Sequence, residues 1–224
     1  MNTPLLGIAM ILGSFGLVAL GAVAIVTARL KARPFPVRPL AAIGGAWTAL
    51  YLVALLVSSL TSQERLLGKN EDKQFCGFYL DCHLQVAVNR VDTMRSVGAA
   101  AGPIRASGLF YVVTLRVSST AVAAHMHLLD PQVVITDRDG RAYHRSEAAE
   151  AALRQSGSPF DSLNQDLGPG ESFTTTVAFD VPAGVPVPRL SVTEGIWADK
   201  LIELFLIGDE DSFLHKRTAF ELRT

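Results

Sequence analysis

The chain has 224 residues, with 20 Lys and Arg against 21 Asp and Glu, and a net charge of −1. No global field therefore recruits nucleic acid or anionic lipid. Hydrophobic residues reach 49% and charged residues only 18%, against the ~25% charged residues of a typical soluble domain. The dilution is local: residues 1–63 hold four basic residues and no acidic one, and from Glu64 onward the composition is that of an ordinary globular domain.

Leu5 to Ala28 is an uncharged run of 24 residues. At ~1.5 Å per helical residue it reaches about 36 Å, enough for a hydrocarbon core of ~30 Å. Leu40 to Leu60 is a second uncharged run, of 21 residues. A cleaved signal peptide fits the first run poorly, because no Lys or Arg precedes it and it is too long. Neither run has the polar stripe of a soluble helical hairpin. Both are predicted to be transmembrane helices, 5–28 and 40–60. The intervening 29–39 carries Arg29, Lys31, Arg33 and Arg38, with Pro34, Pro36 and Pro39 keeping it extended. The positive-inside rule makes it a cytoplasmic loop, with both chain ends and everything after the second span outside. Small residues recur every fourth position, at Ala9 and Gly13 and at Ala41, Gly45 and Ala49. Such faces let helices approach closely in lipid, either each other or further membrane helices.

Residues 64–74 read as a linker to an external domain over 75–224. There the period changes to two. Leu84, Val86 and Val88 alternate with other residues, as do Leu109, Tyr111, Val113, Leu115 and Val117, and Phe173, Thr175, Val177, Phe179 and Val181. This is the pattern of half-buried strands. Asp139-Gly140 between two strand-like runs signals a hairpin. Leu190 and Val192, then Leu201 to Ile207, then Thr218, Phe220 and Leu222 supply three more candidate strands. Ser146 before EAAEAALRQ reads as a capped short helix. Seven or eight strands with turn chemistry between them predict an antiparallel sandwich.

Gly140 to Tyr143, then SEAAEAAL, then LGPGESFTTTVAFDVPAG, then RLSVTEG follow in that order. Together they resemble the Ig-like, telokin-like domain of unknown function found on bacterial lipoproteins and membrane-anchored extracytoplasmic proteins. The core of the likeness is Leu167 to Pro182, and it spans about 83–207. Ser118-Ser119-Thr120 stand where that family often has Asn. The resemblance implies an all-β Ig-like sandwich, no catalytic residues to carry over, and a binding or assembly role.

The two cysteines lie in FCGFYLDCH, Phe75 to His83. Outside the cytoplasm Cys76 and Cys82 are predicted to form a disulfide. Haem attachment needs C-x-x-C-H rather than this C-x5-C-H. Zinc would need Asp81, Cys82 and His83 to converge, although consecutive strand residues point apart. The apolar Phe78, Tyr79 and Leu80 of that loop are the candidate partner contact. His125 and His127 form a possible metal pair without a third ligand nearby in sequence, and read as polar residues at a strand edge. Asp209, Glu210 and Asp211 lack the spaced ladder of a calcium loop and read as solvated. No G-x-S-x-G, H-E-x-x-H or P-loop is present.

These features predict a non-catalytic protein of the bacterial inner membrane, with no cofactor, metal or small-molecule substrate. Its partners would be the lipid bilayer and other membrane or periplasmic proteins, as an accessory or assembly subunit of a larger complex, respiratory or photosynthetic among the options. The alternative is an extracytoplasmic sensor that binds a small molecule or ion.

Overall fold

A computed structural model describes residues 3–31, 34, 37–77, 81–98, 102–186 and 188–223. The chain forms two compact units, one of Met1–Gln63 with Asp199–Arg217, the other of Glu64–Ala198 with Thr218–Thr224.

In the first unit, helices α1 (Thr3–Leu30) and α2 (Val37–Thr61) are long and apolar enough to cross a membrane. They meet through one face of α2. A Cβ on Gly13 would come within 2.5 Å of the Trp47 ring, so this glycine makes room for the indole. Trp47 Nε1 donates to Ser14 Oγ at 3.0 Å, and Ser14 Oγ donates to Met10 O at 2.9 Å. Ala9, Ala41, Gly45 and Ala49 are exposed, and nothing lies within 4 Å of a Cβ added at Gly45. Of the small residues singled out in the sequence, Gly13 joins the two helices and Ala41, Gly45 and Ala49 face away from that contact.

The second unit is a sandwich of two sheets. In chain order its strands are β1 (Arg65–Leu67), β2 (Asp72–Gly77), β3 (Asp81–Val97), β4 (Ile104–Ser119), β5 (Gln132–Thr136), β6 (Ala142–Tyr143), β7 (Ser172–Val181), β8 (Arg189–Thr193) and β9 (Thr218–Glu221). One sheet has the order β1-β9-β8-β5-β6 and the other β2-β3-β4-β7. The alternating residues of β4 and β7 fill the space between the sheets, with Val113, Leu115, Val177 and Phe179 opposite Ile135, Leu190, Val192 and Phe220. Fully burying each such side chain contributes roughly 1.5–3 kcal/mol. The outer face of β4 and β7 is covered in part by α3 (Glu147–Gln155), which buries Ala149 and Leu153 against Phe110, Val112 and Ala178. Ser146 Oγ accepts from Ala149 N and caps this helix.

Three expectations change. Residues 64–74 are not a linker, since they contain β1 and the start of β2. The sandwich is not wholly antiparallel, because β1 runs parallel to β9 with Arg65 opposite Thr218. Leu201 to Ile207 form no strand: α4 (Trp197–Glu203) and a following turn occupy that stretch. A short continuous apolar run does not reveal helix or strand by its period. The apolar partners of Ile207 are Met10 and Leu55, in the first unit.

β4 approaches the end of β7 closely at Gly108, where a Cβ would stand 2.2 Å from Val181 O. Beside it the Asp180 carboxylate accepts from Ser107 N at 2.8 Å, Ser107 Oγ at 2.6 Å and Gly108 N at 3.1 Å. Burial opposes its ionisation, but these bonds outweigh burial and hold its pKa below the usual carboxylate value. The stabilisation is therefore present above the unfolded pKa, about 3.9, and fades as pH falls through the lower folded value. Asp180→Ala should cost about 1–2 kcal/mol at neutral pH. In urea melts of the sandwich, the gap from the wild-type protein should close below about pH 4; a gap independent of pH would refute this role.

Candidate functional site

The Cys76–Cys82 disulfide is formed and clips β2 to β3 beside the register pair Gly77–Asp81. Phe78, Tyr79 and Leu80 lie outside the described residues. His83 Nδ1 is 3.4 Å from Thr120 Oγ1, on the adjoining strand end. Among the described residues no group of three or more His, Cys, Asp and Glu is placed to hold a metal ion.

His125 and His127 flank Met126, which forms a single bridge to Leu167 rather than part of a strand. That bridge brings Asp166 to His127, with Nδ1 2.8 Å from Oδ1. The pair is exposed, and His125 does not join it. Nothing in the sequence near His127 signals a partner 39 positions away. In the acidic run, Asp209 Oδ1 accepts from Asp211 N at 2.9 Å, and Asp211 pairs with Arg217 at 2.8 Å. These contacts belong to a turn.

The sequence reading missed a buried carboxylate. Glu150, on α3, is only 5% exposed. Its oxygens accept from Arg145 Nε and Nη2, each at 2.7 Å, and Oε1 also accepts from Ala178 N at 3.2 Å. The helix is thus bonded to a mid-strand amide of β7 as well as packed on it. Glu150 lies in SEAAEAAL, four residues after the N-cap Ser146, where a helix reading treats it as a surface residue. Lys73 was likewise assigned to a linker. It is 3% exposed, its Nζ donates to Val192 O of the other sheet at 2.7 Å, and it lies 5.0 Å from the Phe75 ring centroid.

An open groove of about 600 Å³ lies where the β3–β4 hairpin extends past β2. Its lining includes Arg95, Ser96, Arg105, Ser107, Gly108 and Ala183. Both arginines are exposed. They have no hydrogen-bond or ion-pair partner among the described residues. The Asp180 carboxylate beside Ser107 accepts from three donors of its own chain, the Ser107 amide and hydroxyl and the Gly108 amide. The groove therefore offers two cationic forks and the Ser96 hydroxyl, a set suited to carboxylate or phosphate oxygens.

A two-sheet sandwich with a helix bonded across one sheet, and no converging catalytic set among the described residues, is the class of protein this geometry defines. The chain belongs to the DUF4352 family, a domain of unknown function, whose profile matches residues 81–202. That range runs close to the likeness read from the sequence. No curated protein matches the chain. Among solved structures, the yjhA protein of Bacillus subtilis aligns at 10% identity over 70% of this chain and all of its own, with a TM-score of 0.45. A secreted protein of Mycobacterium tuberculosis aligns at 11% identity over 72% of this chain and all of its own, at 0.43. A conserved hypothetical protein of Bacillus anthracis aligns at 20% identity, covering 58% of this chain and 89% of its own, at 0.42. Nothing is carried over from these likenesses.

Replacing Glu150 by Leu should destabilise the sandwich by about 1–3 kcal/mol, because it leaves the buried Ala178 amide without an acceptor, while the exposed Arg145 turns to solvent. Arg145→Met should cost a similar amount by leaving the carboxylate buried and unpaired. The double variant should cost clearly less than the sum. Additive losses in denaturant melts would rule out a coupled pair.

Proposed function

We propose that this is a non-catalytic protein of the bacterial inner membrane. In this reading α1 and α2 span the bilayer and hold the Ig-like sandwich on the extracytoplasmic side, where it docks other proteins as an accessory or assembly subunit. The observation that carries the proposal is the unused face of α2. Ala41, Gly45 and Ala49 form a stripe with helical spacing, and the α1 contact is made elsewhere, through Gly13, Ser14 and Trp47. In hydrocarbon, where no hydrophobic force joins helices, a small-residue face favours close approach by another helix. The basic residues of 29–39 support a cytoplasmic loop, and the Cys76–Cys82 bridge suits an oxidising compartment. The telokin-like lipoprotein kinship read from Leu167 to Pro182 is consistent with such a placement.

A second reading has one observation in its favour. The Arg95–Arg105 groove would suit a small anionic ligand, making the sandwich a ligand-binding module. The assembly reading is preferred because the chain between the two helices is too short to act as a cytoplasmic output domain.

Two experiments test the assembly reading. In intact cells, a membrane-impermeant thiol reagent should label Val122→Cys and should reach Val37→Cys only after permeabilisation; the reverse result would invert the topology. Gly45→Leu should abolish co-purification of the partner complex in mild detergent while leaving the Cys76–Cys82 bridge and the sandwich's melting intact. Unchanged recovery of a lone monomer from both proteins would reject assembly and favour the ligand reading, which Arg95→Ala and Arg105→Ala would then address.

A further inference from the structure

The insertion between β8 and β9 leaves the sandwich and rejoins the helical unit over Asp199–Arg217. Within that unit its attachment is specific. Ile207 is fully buried against Met10 of α1 and Leu55 of α2. Tyr51 Oη donates to Phe205 O at 2.7 Å, and Lys216 N donates to Ser62 Oγ at 2.9 Å. Phe213 N donates to Leu204 O at 2.9 Å, closing the segment on itself.

These contacts fix its depth along the helices. Ser62 follows the last residue of α2, while Tyr51 lies ten residues before that end, at Thr61. At ~1.5 Å per residue, the segment extends about 15 Å down the helix from its end. That is half of a ~30 Å hydrocarbon core. A polar surface loop at this depth would be costly in lipid. The segment instead turns large apolar side chains outward: Leu201, Ile202, Phe205, Phe213 and Leu214 are 45–58% exposed. Within its acidic run, Asp211 pairs with Arg217 and Asp209 accepts from the Asp211 amide.

We infer that residues 199–217 are an interfacial element seated in the outer leaflet, with Leu201, Ile202, Phe205, Phe213 and Leu214 in contact with acyl chains. The inference rests on the reading of α1 and α2 as spanning helices. The occupant of this apolar surface is lipid because the segment is anchored partway down α1 and α2, through Met10, Tyr51 and Leu55, and those helices expose apolar side chains along their length. An interfacial helix of this kind binds by apolar area, which suits a chain of net charge −1.

The test uses the full chain in phosphatidylcholine vesicles, spin-labelled one site at a time. The native cysteines are bridged, so an introduced cysteine is labelled selectively. Leu201→Cys and Phe213→Cys probe the segment. Leu12→Cys, on an exposed side of α1, probes the span, and Val122→Cys, 90% exposed on the sandwich, is the aqueous reference. The ratio of collisions with oxygen to collisions with a water-soluble nickel chelate should shift at Leu201 and Phe213 away from the Val122 value and toward that of Leu12. A water-like ratio at both sites, with a lipid-like Leu12, overturns the inference and leaves the spanning reading standing. A water-like Leu12 overturns both. Labels shielded from both reagents, with dipolar broadening between copies, mean a second copy covers the face and equally overturn it.

Discussion

The register between β4 and β7 is the constraint on which the rest of the sandwich depends. Val113 faces Val177 and Leu115 faces Thr175, so the odd-numbered residues of both strands point into the space between the sheets. A slip of one residue would turn all of them outward. The pairing is pinned at both ends. At one end Gly108 admits the backbone of Val181 and Asp180 binds the Ser107 and Gly108 amides. At the other, Ser119 N donates to Glu171 O at 2.9 Å. Once this pair is set, the even-numbered face presents Phe110, Val112 and Ala178 to α3, and the Ala178 amide to Glu150. The helix position and its buried carboxylate follow from the strand register.

Much of this was legible because period and turn chemistry agreed. The β5–β6 hairpin lies about Asp139-Gly140, and its loop is closed by Asp137 Oδ1, which accepts from Asp139 N at 2.9 Å and Arg141 N at 2.8 Å. The Leu167 to Glu171 turn launches β7, with Gly170 at φ 73° and Glu171 Oε2 accepting from Gly168 N at 2.7 Å. The same device stands before β2: Leu67 and Gly68 are followed by Asn70 at φ 63°, and Glu71 Oε2 accepts from Gly68 N at 2.7 Å. That first copy carries the same signal in LGKNED, inside the stretch that reads as a linker. Asn supplies the left-handed residue there as Gly does in the second copy.

The misses have separate physical causes. In β3 the alternation breaks after Val88 because Asn89 is accommodated by a bulge: Val88 faces Leu115, and Val91 faces Val113. The strand continues to Val97 although its period does not. Glu150 and Lys73 are charged residues whose partners, Ala178 and Val192, are distant in sequence, so no local pattern marks them as interior. The candidate groove joins Arg95 and Arg105 across the β3–β4 hairpin and adds Ala183 from beyond β7. Its shape exists only after those strands pair. The Cys76–Cys82 bridge was readable because both of its members are the only cysteines in the chain.

The parallel β1–β9 pair, the departure from an antiparallel sandwich among the described residues, follows the chain's connectivity. The chain passes from the helical unit into the sandwich twice, at Glu64 and again at Thr218. β1 and β9 are the first strands after those crossings, and they pair from their first residues, Arg65 with Thr218. Two strands that start from the same unit and enter side by side must run the same way, whereas a hairpin would reverse one of them. Arg189, opposite Glu221 in the register of β8 with β9, also pairs with Glu64 at the first crossing. The excursion over 199–217 falls between β8 and β9, the strands next to this edge. Removing that excursion would join β8 to β9 directly as an antiparallel pair, which they already are. The sandwich therefore does not need the insertion for its own topology, and the reason for its apolar surface has to be sought in the helical unit on which it packs.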